Sequence, residues 1–158
     1  MFEFFKSTPY DDPQLGQLRR TGGAWRGTID LGGTSIALVV DGSRKTPDAA
    51  ALRIARTIAS DLPGWRPQIA QALFEHYQPY AESVAAGEEQ PPADGMPKID
   101  RPDEVWPHVA IQYVSVKPLQ GVPIVEIGLS AAWDEEHTLG ARLRDGKLLE
   151  LNGSVLAP

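Results

Sequence analysis

The feature that most constrains the fold is a change of hydrophobic period in the middle of the chain. Between Thr46 and Val84 apolar residues recur at helical spacing, whereas both flanks consist of short apolar runs separated by glycine turns. Strands followed by helices and then by further strands predict an α+β fold with a mostly antiparallel sheet. No internal repeat interrupts this order, so residues 1–158 are predicted to form a single domain.

Seven strands are predicted, three before the helices and about four after them. Gly22-Gly23, Gly32-Gly33 and Asp145-Gly146 supply the turns, because glycine adopts positive φ without steric cost. The predicted strands are Leu15–Arg20, Trp25–Leu31, Ser35–Val40, Val109–Lys117, Val122–Leu129, Thr138–Arg144 and Leu148–Leu156.

Two or three helices are predicted to pack on one face of this sheet. Thr46-Pro47-Asp48 is a typical helix start, and Pro63-Gly64 should separate a first helix from a second. Pro79 should kink or end the second helix. A brief helical turn is expected at Pro102–Trp106. The helical stripe predicted to be buried includes Leu52, Ile58, Leu73 and Tyr77.

The segment of about residues 85–101 is rich in proline, glycine and glutamate, which predicts a mobile surface loop. Its core, Glu88–Pro97, offers little apolar surface that could offset the entropy lost on ordering. We therefore expect its removal to leave the fold intact.

Composition excludes several classes of function. The net charge is −6, and lysine and arginine occur in scattered pairs, which argues against nucleic-acid binding. There is no cysteine, hence no disulfide framework or thiol nucleophile. The sequence contains neither a secretory signal nor an apolar run of about 20 residues, so no membrane association is expected. We expect a bacterial cytoplasmic protein.

The most unusual local sequence is Trp133-Asp134-Glu135-Glu136-His137, followed by Thr138-Leu139-Gly140. We call Trp133–His137 the acidic-His segment. Carboxylates and imidazole could bind a metal or act as general acid and base. Consecutive strand residues point to opposite faces, however, so they cannot all converge on one ion. The favoured interpretation is a polar connection in which His137 bonds a neighbouring acid; a catalytic or metal site and a protein-contact surface are the alternatives.

Other motifs predict no catalytic, cofactor-binding or metal-binding residue. Glu75-His76 lacks the spacing of a zinc-binding helix, and we expect His76 to be a partly buried helix residue. The glycine pairs are not followed by a phosphate-binding lysine, and no serine lies in a nucleophile elbow. Trp25 is expected in the core, whereas Trp106 and Trp133 could be core lids or interface anchors. The predicted interaction surface is Trp133, Asp134, Glu135, Glu136, His137 and Trp106.

Several segments together resemble a family of small bacterial domains of unknown function. They are Leu15–Leu18, Trp25–Ile29, Ile36–Val40, Leu73–Tyr77, and Trp133–Gly140 followed by Asp145-Gly146. Related families occur among immunity proteins of polymorphic toxin systems, so the resemblance implies a toxin-neutralising role. It carries over no catalytic residues. The Pro-rich insertion at Glu88–Pro97 departs from the family pattern and is a candidate variable contact surface.

We therefore expect a non-enzymatic protein-binding domain of immunity type, whose partner would be a protein such as a cognate toxin. An acidic inhibitor suits a basic toxin, because opposite potentials speed association. The alternative is a metal-assisted hydrolase that uses His137 with nearby carboxylates. The sequence predicts neither the identity of the partner nor the oligomeric state.

Overall fold

The computed structural model describes residues 7–158, which form one eight-stranded sheet, one long α-helix and one 3-10 helix. The N-terminal strands are β1 Tyr10–Asp12, β2 Gly16–Thr21, β3 Ala24–Leu31 and β4 Thr34–Val40. Helix α1 is Ala49–Ala85, and the 3-10 helix is Pro102–His108. The C-terminal strands are β5 Val109–Leu119, β6 Val122–Ala131, β7 Asp134–Arg144 and β8 Lys147–Asn152.

The sheet follows the order of the sequence from β1 to β8, and only β4 and β5 pair in parallel. Tight turns join the antiparallel neighbours, whereas α1 and the following loop connect β4 to β5, as a parallel pair requires a long crossover. The predicted α+β class with a mostly antiparallel sheet is confirmed. None of the described helices is long and apolar enough to span a membrane.

One core lies between α1 and the sheet. Trp25, Leu38 and Leu129 are fully buried from the sheet side, and Ile58 and Leu73 from the helix side. The predicted burial of Leu52, Ile58, Leu73 and Tyr77 is confirmed, as is the core position of Trp25.

The prediction that Pro63-Gly64 divides the middle segment into two helices is wrong. Helix α1 runs through Pro63, Pro67 and Pro79 without a break. All three prolines lie on the exposed side of the helix. Each lacks the amide that would bond the carbonyl four residues earlier, which belongs to Ala59, Pro63 and Glu75 respectively. These three residues are also exposed, so their carbonyls can bond water instead. The buried stripe also stays in phase across the prolines, so burial of the apolar face outweighs the lost backbone bonds: Ile58, Leu62, Trp65, Ile69, Leu73 and Tyr77.

The helix start and the number of N-terminal strands were also predicted wrongly. Asp48, not Thr46, caps α1, because its carboxylate accepts the amide of Ala51 at 2.9 Å. The sheet has four N-terminal strands rather than three, since Tyr10–Asp12 forms an edge strand paired with β2. Three residues are too few to show a hydrophobic period, which is why the sequence did not reveal this strand.

The face of the sheet turned away from α1 carries a row of bonded polar side chains. Tyr113 donates its hydroxyl to Glu126 at 2.6 Å, and Arg142 bonds both Glu126 and Glu150 at 2.8 Å. The predicted last strand, Leu148–Leu156, ends earlier, at Asn152. The residues beyond Asn152 turn onto this face, where Val155 lies over Gly140. A Cβ on residue 140 would come 2.8 Å from the Val155 side chain, so this close approach requires glycine.

The segment between the two helices is irregular, as predicted, but its end is fixed to α1. The Tyr77 hydroxyl donates to the carbonyl of Pro97 and accepts the amide of Ile99, which is buried. Residues 85–91 and 93–95 are exposed. Mobility of the Glu88–Pro97 stretch stays a prediction, and the anchored end lies at its C-terminal boundary.

Candidate functional site

The acidic-His segment begins in the turn between β6 and β7, and most of it belongs to β7. The sequence placed the strand start at Thr138, but β7 begins at Asp134 because Asp134 still pairs with Ala131. Trp133 therefore occupies a two-residue turn, and its side chain is buried. The amide of the other turn residue, Ala132, donates to the carbonyl of His108 at 2.9 Å.

Trp133 fixes this turn to helix α1. Its indole Nε1 donates to Nδ1 of His76 at 3.0 Å. Its ring meets Tyr77 edge-on, with 5.4 Å between the ring centroids and an interplanar angle of 71°. This edge-to-face arrangement is favourable for aromatic pairs. Of the two roles considered for Trp133, the side chain adopts the packed one.

Asp134 is the centre of a hydrogen-bonded group. Its side chain is only 3% exposed, yet its carboxylate accepts the Tyr80 hydroxyl at 2.9 Å and the Glu136 amide at 3.3 Å. Nδ1 of His137 lies 2.9 and 3.0 Å from the two carboxylate oxygens. The predicted bond between His137 and a neighbouring acid is confirmed. Because a carboxylate only accepts, neutral His137 carries its proton on Nδ1, which leaves Nε2 as an acceptor.

Burial and charge shift two titrations in this group. Burial, with the bond to Asp134, raises the pKa of Tyr80 to about 12, so its phenol stays a donor at neutral pH. Burial also lowers the pKa of His76; the negative charge of Asp134 opposes this shift, and the positive charge of protonated His137 adds to it. His76 is therefore neutral at pH 7 and able to accept the indole proton of Trp133.

Two clefts open on either side of the acidic-His segment. One, of about 490 Å³, lies between this segment and the end of α1 with its loop, where Tyr80, Glu89, Pro92 and Met96 line it. The other, of about 560 Å³, is lined by residues 107–110 and by residues 130–132 and 134–138. Neither lining includes a lysine or arginine, whereas Asp134, Glu135 and Glu136 line both.

The predicted surface residues are divided between support and exposure. Within the segment, Trp133 and Asp134 are buried and fix it to the rest of the protein, whereas Glu135, Glu136 and His137 are exposed. Trp106 is half-buried, with the guanidinium of Arg66 4.6 Å from its ring centroid. It lines neither cleft.

Sequence reasoning missed the contribution of α1 to this site. His76 was correctly predicted to be partly buried, but its bond to Trp133 and the role of Tyr80 were not anticipated. The two residues are four apart and therefore share one helical face, which was the available signal. Within residues 7–158, no group of three histidine, aspartate or glutamate side chains is arranged to hold a metal ion.

Comparison with known proteins identifies a family. A model described as a domain of unknown function, DUF6985, matches residues 14–155. The chain belongs to this family. No curated protein and no solved structure matches the chain. The DUF6985 match spans all strands from β2 to β8 and includes the whole acidic-His segment.

Proposed function

We propose that this DUF6985 domain is a non-enzymatic protein-binding domain of the bacterial cytoplasm, and that it acts as an immunity-type protein against a basic toxin. The contact surface we assign is the exposed part of the acidic-His segment, Glu135–His137, with the two clefts beside it. The partner would bring lysine or arginine side chains to this surface.

The observation that carries the proposal is the charge of the two clefts. Three carboxylates of the segment line both, Glu89 adds a fourth to one of them, and neither lining contains a lysine or arginine. Complementary charge speeds association and excludes partners of like charge. The apolar wall formed by the partly exposed Pro92 and Met96 offers packing for the aliphatic stems of basic side chains.

The test uses the proteins encoded next to this one in its genome. Each is co-expressed with the domain, and complex formation is measured by size exclusion and by rescue of growth. We expect one of them to bind, and the Glu135→Gln/Glu136→Gln variant to bind it at least tenfold more weakly.

The matched control for this experiment is Asp11→Asn/Asp61→Asn, which removes the same charge at two exposed positions that line neither cleft. We expect it to bind nearly as the wild type does. Equal weakening by both variants would mean that only overall charge matters. Unchanged binding of the Glu135/Glu136 variant would move the contact surface elsewhere.

A hydrolase is the second candidate, because Asp134 orients His137 so that Nε2 is free to accept a proton. In the metal-assisted form, untagged protein would purify with a stoichiometric divalent ion, and His137→Ala would lose it. The binding proposal expects His137→Ala to leave the metal content unchanged and to cost about 1 kcal/mol of stability, the usual value of one hydrogen bond.

A further inference from the structure

We infer that the His76–Trp133 pair is a pH-sensitive latch, which holds the β6–β7 turn against α1 at Trp133 and loosens this turn when His76 is protonated. The inference concerns regulation of the same surface and so rests on the proposed function for its biological meaning. The latch itself is a property of the fold that can be measured without a partner.

The geometry makes the latch dependent on one proton. An indole nitrogen can only donate, and Trp133 donates its N–H to Nδ1 of His76 at 3.0 Å. Neutral His76 accepts this bond only when its own proton lies on Nε2. Protonated imidazole carries a hydrogen on both nitrogens, so two donors would then face each other across the same gap.

The surroundings of the pair allow no easy replacement for the bond. Trp133 is 2% exposed, so water has little access to its indole once the imidazole stops accepting. His76 lies beneath Gly153, where a Cβ would come 3.6 Å from Nε2, and beside Tyr80, with 5.2 Å between the ring centroids.

The charged and titratable groups around His76 come from β7 and α1. Asp134 favours the protonated imidazole and protonated His137 disfavours it, while burial lowers the pKa of His76 below its ordinary value of 6.5. Tyr80 remains neutral, and Gly153, from the segment after β8, brings no charge. The latch is therefore closed at neutral pH and opens as the pH falls through the lowered pKa of His76.

Opening the latch would loosen the turn rather than the whole sheet. The edge-on contact of Trp133 with Tyr77, the bond from Ala132 to His108 and the bond from Tyr80 to Asp134 remain. The bond to His76 is lost, which is the only side-chain hydrogen bond of Trp133 within the described residues. The exposed part of the acidic-His segment, Glu135–His137, lies close behind Trp133 in the chain, so its position relative to Glu89 across the cleft changes with the turn.

The test is a titration of the indole N–H groups by two-dimensional ¹H–¹⁵N NMR on the full chain, from pH 7.5 down to the pH at which the protein begins to unfold. We expect the Trp133 indole signal to shift, and its exchange with water to speed up at least tenfold, with a midpoint below pH 6.5 that matches the ring titration of His76. Trp25 is the internal control, because its indole donates to the carbonyl of Ser43 at 2.9 Å, which does not titrate.

Two variants separate the latch from its surroundings. In His76→Asn the side-chain oxygen can accept near the position of Nδ1 without titrating, so the Trp133 signal should become independent of pH. In His137→Gln the titration should persist with a higher midpoint, because the charge that opposes protonation of His76 is gone.

The latch is refuted if the wild-type Trp133 signal does not titrate, if it titrates only while His137 is present, or if Trp25 changes with the same midpoint. Each of these results leaves the proposed function standing, since partner binding is measured separately. Conversely, a titrating latch in a domain that binds none of the neighbouring gene products would leave the inference intact and remove the proposed function.

Discussion

Two buried aspartates, Asp12 in β1 and Asp134 in β7, show how differently one chain uses the same side chain. The Asp12 carboxylate is fully buried, bonds the guanidinium of Arg56 on α1, and accepts the amides of Gln14 and Leu15 at 3.0 Å. Asp134 is almost as buried, but its side-chain partners are the neutral phenol of Tyr80 and the titratable imidazole of His137.

The two aspartates differ in whether the partner side chain keeps a polar atom that can bind another group. Arg56 is permanently charged and its bond to Asp12 ties the edge strand to the helix, so this pair has a structural role. His137 keeps a free nitrogen and lines two clefts. A buried carboxylate therefore marks a candidate site only where its partner still has an unused polar atom in an accessible cleft.

The largest effect is expected from Asp12→Ala. It leaves Arg56 without its carboxylate and the amides of Gln14 and Leu15 without their acceptor. We expect a loss of about 2–3 kcal/mol in the free energy of unfolding, or about 5–10 °C in Tm for a domain of this size. Thermal unfolding followed by circular dichroism measures it.

The control for that prediction is Asp12→Asn, which keeps one acceptor oxygen for the turn amides and removes the charge and the acceptor that face Arg56. It should recover part of the lost stability. If the alanine and asparagine variants each lose less than about 0.5 kcal/mol of stability, β1 contributes little to the fold, and the structural role assigned to Asp12 is wrong.

A smaller loss of stability is expected from Asp134→Asn. The amide oxygen can still accept from Tyr80 and His137, and His137 is 41% exposed and can bond water. We expect about 1 kcal/mol, less than for Asp12→Ala, together with at least fivefold weaker partner binding, because the variant removes the negative charge of Asp134 that lines both clefts. Urea unfolding and titration with the identified partner measure the two effects. A stability loss as large as that of Asp12→Ala would erase the contrast between the two aspartates.

The two regions should lose stability in different pH windows. Arg56 lowers the pKa of Asp12, so the contribution of Asp12 is present above its ordinary pKa of 3.8 and disappears as the pH falls through the lower folded value. Burial lowers the pKa of His76, so the unfolded chain binds that proton more readily and stability declines as the pH falls below 6.5.

Urea midpoints measured between pH 7.5 and 3 distinguish these windows. His76→Asn should flatten the decline that begins near pH 6.5, and Asp12→Asn should flatten the one below pH 3.8. If His76→Asn leaves the upper part of the curve unchanged, burial does not penalise the charged form of His76 as described.

Local patterns predicted the parts of the fold that repeat along the sequence. Seven strands, their turns and the buried helical stripe follow from period and turn chemistry, and the structure contains all of them. Proline was given too much weight in α1, where Leu62 and Ile69 stay in phase across Pro63 and Pro67. The helical spacing of the apolar residues, which extends over many positions, predicted the course of α1 better than the presence of a single helix-breaking proline.

The candidate site was predictable only where its residues are consecutive. The bond between His137 and Asp134 joins residues three apart, and sequence reasoning found it. The bonds from Tyr80 to Asp134 and from Trp133 to His76 join residues more than fifty positions apart. Such contacts depend on how α1 lies on the sheet, which no local pattern specifies.

The smallest effect is expected from the loop that lines the 490 Å³ cleft beside Asp134, a feature that the surroundings of Asp12 do not share. Replacing Glu88–Asp94 with glycine and serine at equal length keeps the anchored stretch from Met96 to Ile99, whose backbone bonds Tyr77. Because residues 88–91, 93 and 94 are exposed, we expect Tm to fall by less than about 4 °C, which corresponds to roughly 1 kcal/mol or slightly more at this size. A matched replacement of Met96–Ile99 removes buried Ile99 and should cost clearly more. If the two replacements cost the same, the exposed stretch is packed as firmly as the anchored one, and the wall of the 490 Å³ cleft is rigid.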